Sequence, residues 1–201
     1  MKIRLVLAIL AFLPVHLFPQ EESWNLCREE SGVKVYCNAS VYPPRFRAET
    51  TVRADSLSVI NILRDVEHFA GWTARVKESR LIKTELDSIL IYSAVLDYPF
   101  PLKDRWIVYR NSYIPDSSSR SLRIRIEAVT EAYTPPDGLP KALPSEGFWL
   151  LTFSGNSRVG IVLEMTIDPG MELPGRLMES IISDDPLKTL LNLRERLSLN
   201  R

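Results

Sequence analysis

From about residue 77 to residue 167 the chain reads as one strand after another, and it then closes on a single amphipathic helix. Alternating or β-rich runs cover residues 80–85, 89–96, 105–110, 122–129, 147–154 and 159–167, with Asp87-Ser88 as a turn between the first two. Two proline-rich stretches, Tyr98-Pro99-Phe100-Pro101-Leu102 and Thr134-Pro135-Pro136-Asp137-Gly138-Leu139-Pro140, are loops, because proline cannot donate to a sheet ladder. Helical spacing begins near Pro174, and Leu187, Leu190, Leu191 and Leu197 fall on one apolar face. Asp184-Asp185-Pro186 is either a cap with proline in the first turn or a kink inside one long helix. A sheet and a helix each with one apolar face bury both most simply when the sheet curves around the helix. The expected class is therefore α+β, a curved antiparallel sheet wrapped around a long C-terminal helix. Such a closure leaves an internal space of the kind that takes small molecules.

The N-terminal half prepares that sheet. Residues 46–53 read as a strand; Asp55 then caps a helix carrying Leu57, Ile60 and Leu63, and a shorter helix covers Glu67 to Trp72. Before them, Ser31-Gly32 is a turn signal between Cys27 and Cys37, and Val33-Lys34-Val35-Tyr36 is β-rich, so the stretch reads as a hairpin. A loop of odd length centred on Gly32 would set the two cysteines directly opposite, close enough for a disulfide. Two buried free thiols are the alternative. The spacing is not C-x-x-C, and no third cysteine exists to build a zinc site.

Residues 1–20 have the layout of a secretory signal. Lys2 and Arg4 form a basic start, Leu5 to Leu13 an apolar run, and Pro14, His16 and Pro19 a polar exit. The run is far shorter than the about 20 residues that a membrane span needs. Val15, Leu17 and Pro19 make a poor cleavage pattern, so a retained anchor stands beside cleavage. An exported chain, periplasmic or extracellular, also favours the disulfide. Residues 21–201 are then a single domain, long enough to bury a core without a metal. With 25 basic and 25 acidic side chains the formal charge is zero, which argues against nucleic acid as a partner.

The chemistry is sparse. His16 and His68 are the two histidines, which excludes multi-histidine metal sites. A hydrolytic triad would need His68, within Asp65-Val66-Glu67-His68-Phe69, where a surface or capping histidine is the simpler reading. Residues 155–160 match a phosphate loop in glycine spacing only; Ile161-Val162 replace the Lys-Ser/Thr pair. No catalytic residue, metal or cofactor is expected.

Six phrases, in order, resemble the START family of StAR-related lipid-transfer domains. Trp24-Asn25-Leu26 followed by Gly32-Val33-Lys34-Val35-Tyr36 is similar to its opening, and Phe46-Arg47-Ala48-Glu49 to its next strand. Asp65 with Trp72 follows the first helix; Pro99-Phe100-Pro101-Leu102-Lys103-Asp104-Arg105 is the most specific match. Gly147-Phe148-Trp149-Leu150-Leu151 and Asp168-Pro169-Gly170-Met171-Glu172-Leu173-Pro174 complete the set, which spans about residues 24 to 197. Trp106 departs from the family's aspartate and Met171 from its second glycine.

The resemblance implies a helix-grip fold with a hydrophobic cavity that binds lipids, sterols or other apolar molecules non-covalently, in a family most of whose members catalyse nothing. Its partner is a lipid or other apolar molecule, with transient membrane contact, and the chain is expected to be a monomer. The cavity or its entrance would take Arg105, Trp106, Phe100, Trp149, Met178 and Leu190, with Asp97, Asp104 or Glu127 balancing Arg105. Two other readings remain open: a helix-grip enzyme of cyclase or hydrolase type using His68 or Arg105, and an envelope interaction module with a collapsed core.

Overall fold

The computed structural model describes residues 24–38, 41–136, 138–168 and 173–199. The expected leader over 1–20 lies outside them. Nine strands form one antiparallel sheet: β1 (Asn25–Glu30), β2 (Val33–Asn38), β3 (Arg45–Arg53), β4 (Val76–Glu85), β5 (Ile89–Leu96), β6 (Arg105–Asp116), β7 (Ser121–Ala128), β8 (Ser145–Ser154) and β9 (Arg158–Ile167). Their order is β1-β2-β3-β9-β8-β7-β6-β5-β4. Between β3 and β4 come helix α1 (Ser56–Arg64) and a 3-10 turn (Val66–Gly71), which carry the chain to the far edge of the sheet. The C-terminal part is α2 (Gly175–Glu179), a π turn (Ser180–Asp184) and α3 (Asp185–Leu199), continuous over 175–199. This is the expected helix-grip arrangement of a curved sheet and a long terminal helix.

Side-chain alternation builds the inner face. In β7, Leu122, Ile124 and Ile126 are buried while Arg123 and Arg125 are exposed, the period-two pattern of a sheet with one face on the core. Leu187, Leu190, Leu193 and Leu197 of α3 are buried, and α3 packs against β2 and β3. Asp55 caps α1 as its position suggests, its carboxylate accepting the Ser58 N–H at 3.2 Å. Gly147 is required by contact: a Cβ there would run into the Glu164 carbonyl and Met165 of β9.

The first hairpin differs from the odd-loop expectation. Its turn has two residues, Ser31 (φ 49°) and Gly32 (φ 76°), between the paired Glu30 and Val33. Two consecutive positive φ values match the right-handed strand twist. Asn25, not Cys27, stands opposite Cys37: the two-residue turn shifts the register by one position, and a bulge between Leu26 and Arg28, which gives β1 one extra residue, shifts it by one more. That extra residue is Cys27, and the bulge turns it toward Cys37. The two are joined as a disulfide, with Cα atoms 6.0 Å apart.

Pro186 explains the π turn. It has no N–H to donate back to residue 182, and its ring crowds that carbonyl, so the preceding turn widens rather than breaks. Of the two readings of Asp184-Asp185-Pro186, the structure has the distortion within one helix.

Candidate functional site

The inner face of the sheet and the helix do not fill the space between them completely. A cavity of about 170 Å³ remains, walled by β5, β6, β8 and β9, by residues 72–76 after the 3-10 turn, and by the helix from Ile181 to Thr189. Its lining is largely apolar, and seven of the described residues in it are aromatic. Tyr109 packs on Tyr92 at 5.6 Å between ring centroids, Tyr92 on Phe69 at 5.4 Å, Phe69 on Trp72 at 5.3 Å and Trp72 on Trp149 at 6.3 Å. Phe46 and Tyr98 also reach the cavity. The two edge-to-face contacts of Phe69 are the geometry that aromatic quadrupoles favour.

Polar groups are few and specific. Arg75, at φ 61°, occupies a left-handed conformation that a bulky residue seldom adopts without compensating contacts. Its Nε donates to the Asp185 carboxylate at 2.5 Å, its Nη1 to the Asp97 carbonyl at 3.2 Å and its Nη2 to Ser180 Oγ at 3.4 Å. The Arg75 and Asp185 side chains are only 17% and 16% exposed, so loop and helix meet through a largely buried ion pair. Across the cavity the hydroxyls of Tyr109 and Ser145 lie 2.8 Å apart. Burial pushes the Tyr109 hydroxyl up to about 12, and the same cause raises Tyr92 and Tyr98. Trp72 Nε1 and Thr73 Oγ1, both on cavity-lining residues, are buried without a hydrogen-bond partner in the structure.

The sequence-derived positions distribute unevenly around this space. Trp149 lines it. Leu190 is fully buried in the core between helix and sheet, and Met178 packs against that core. Arg105 is half-buried on β6, its Nη1 3.4 Å from the Lys141 carbonyl, and its charge acts on the Tyr98 hydroxyl. Of the acids considered for it, Asp104 pairs with Lys77 at 2.8 Å and Glu127 with Arg125 at 2.9 Å. Trp106 points to the opposite face, into a second cluster with Ile91, Val95 and Val108 beneath Tyr133 and Leu139. Phe100 is 96% exposed on the loop between β5 and β6. His68 is exposed, bonded to Asp65 at 2.7 Å, and outside the cavity lining.

Arg75 and Asp185 were not singled out as a pair by sequence reasoning, since 110 residues separate them. Asp185 carried one signal, an acid beside a proline within a helical pattern. Arg75 carried none.

A curved antiparallel sheet and a C-terminal helix gripped by it, with a cavity between them, define the helix-grip fold. No family model matches the chain. An uncharacterised protein of Pseudomonas aeruginosa is 28% identical over 177 residues, covering 86% of each chain. The structure of a StAR-related lipid transfer protein from Xanthomonas axonopodis superposes with a TM-score of 0.78 at 28% identity, covering 87% of this chain and 98% of that one. Human StAR-related lipid transfer protein 5 gives 0.75 at 14% identity, over 90% and 89% of the two chains. A Streptomyces aromatase/cyclase shares the fold at 0.56 and 15% identity, over 78% and 95%. These likenesses bear out the START resemblance: the chain folds as a START domain.

Proposed function

We propose that this chain binds a hydrophobic small molecule non-covalently in the cavity between sheet and helix, and that it does so as an exported, cell-envelope protein. The observation that carries the binding reading is the aromatic cavity itself, closed by a helix whose Asp185 is latched to Arg75. The START-type neighbours support the same class of ligand. Burial of apolar surface at about 25 cal/mol per Å² supplies the affinity, and the polar groups orient the ligand. On this reading, movement of the helix is the gating step by which the ligand enters or leaves. The disulfide and the signal-like leader support export.

Binding without turnover is favoured over catalysis by where the titratable groups sit. His68 faces solvent, and the cavity's Arg75 and Asp185 neutralise one another. The shared fold of an aromatase/cyclase keeps an enzymatic reading testable. Trp72 and Trp149 line the cavity whereas Trp106 does not, so ligand uptake should alter their fluorescence. Titration of the delipidated protein with a total membrane lipid extract is expected to give a saturable emission change, abolished in Trp72→Phe/Trp149→Phe. A flat response in the parent protein would contradict binding.

A further inference from the structure

We infer that the cavity selects an uncharged apolar molecule bearing a hydroxyl or carbonyl oxygen, received by the Tyr109–Ser145 hydroxyl pair, and excludes carboxylate and other anionic head groups. The inference rests on the binding reading above and names its ligand class.

Arg75 is the single cationic side chain among the described residues that line the cavity. Its charge is balanced by Asp185 in a largely buried ion pair, and three of its five N–H donors are engaged, by Asp185, the Asp97 carbonyl and Ser180. An anionic head group would therefore be desolvated without a counter-charge, and it would also face the Asp185 carboxylate. Removing a charge from water without a partner is among the most costly events in a protein interior. The hydroxyl pair presents the opposite situation. When one hydroxyl donates to the other, a proton remains on the second and lone pairs remain on both. A neutral ligand oxygen can then accept one hydrogen bond and, if it is a hydroxyl, donate another. Tyr109 stays protonated across the physiological range because burial raises its hydroxyl. Trp72 Nε1 and Thr73 Oγ1, on residues that also line the cavity, add two further uncharged groups, both buried without partners among the described residues.

The test is calorimetric titration of the disulfide-intact protein with 1-decanol and decanoate, a pair that differs only at the head. Decanol is expected to bind, with decanoate about 100-fold weaker, as a desolvated charge of several kcal/mol requires. Tyr109→Phe/Ser145→Ala should weaken decanol about tenfold, the loss of one hydrogen bond, and leave the weak decanoate binding unchanged. Asp185→Asn leaves the charge of Arg75 unbalanced, so decanoate should gain affinity relative to the parent protein while the affinity for decanol stays unchanged. Equal or tighter decanoate binding in the parent protein would overturn the inference and leave hydrophobic binding standing. If neither probe binds and a total lipid extract leaves nothing in the protein, the binding reading falls and this inference falls with it. Should Asp185→Asn not fold, the parent comparison and the hydroxyl variants decide alone.

Discussion

Arg75 and Arg105 show what a residue's neighbours in sequence do and do not reveal. Arg105 stands out because it closes a recognisable phrase, Pro99 to Arg105, yet it is Arg75 that reaches the cavity wall and grips the helix. A side chain becomes important here through a partner far along the chain, and periodicity carries no information about such a pair. Its removal is informative. Arg75→Met leaves Asp185 buried and uncompensated, so urea unfolding should show a loss of about 3 kcal/mol, and the double variant Arg75→Met/Asp185→Leu should recover most of it. An unchanged midpoint in the single variant would show that the pair is not buried as described. Tyr109 gives a second prediction at this scale. Its hydroxyl ordinarily titrates at 10.0 and is raised to about 12 in the fold. Below about pH 10 both states hold the proton and the folded state keeps its full advantage. Between about pH 10 and 12 the unfolded chain releases the proton first, so stability falls as pH rises. Tyr92 and Tyr113, raised by the same burial, act in the same direction. Chemical unfolding across this range should show the decline, and Tyr109→Phe should make it shallower; an identical slope in that variant would contradict the assignment.

The elements were readable where period and punctuation agreed. Asp55 announces α1, Ser31-Gly32 announces a tight hairpin, and the alternation in β7 and β9 assigns their inner faces. What sequence could not supply was the bulge in β1, because one extra residue in a strand leaves no compositional mark. The π turn was foreshadowed by Pro186, but a cap and a distortion share that signal. These irregular places are also where hairpin and helix meet. Arg28, just after the bulge, bonds Asp184 at 2.8 Å and Glu179 at 3.1 Å across the π turn. Cys27 and Cys37 tie the strand that carries Arg28 to β2. Closing a loop of about ten residues restricts the unfolded chain by about 2–3 kcal/mol. Cys27→Ser/Cys37→Ser should therefore lose about that much stability and speed amide exchange in β1 and in residues 180–184. Alkylation of the parent protein under denaturing, non-reducing conditions should leave both cysteines unmodified; modification of both would show free thiols.

At the scale of the whole molecule, strand count and the terminal helix were enough to anticipate a curved sheet around a helix. The six phrases sharpened that into the START fold. The size and lining of the cavity were not readable, because they depend on residues from β3, the 3-10 turn, six other strands and the helix converging on one space. The second cluster under Val129, Tyr133 and Leu139 was equally hidden: Trp106 looked like a cavity residue, but its place in β6 turns it to the outer face. On the proposed reading this space takes up an apolar molecule instead of serving as simple core packing. The most direct test is mass spectrometry of organic extracts from the protein purified without detergent, beside a control protein purified in parallel. A single class of apolar molecule, enriched to about one per chain, is the expected result. A protein that remains empty after incubation with total membrane lipid would contradict hydrophobic binding in the cavity.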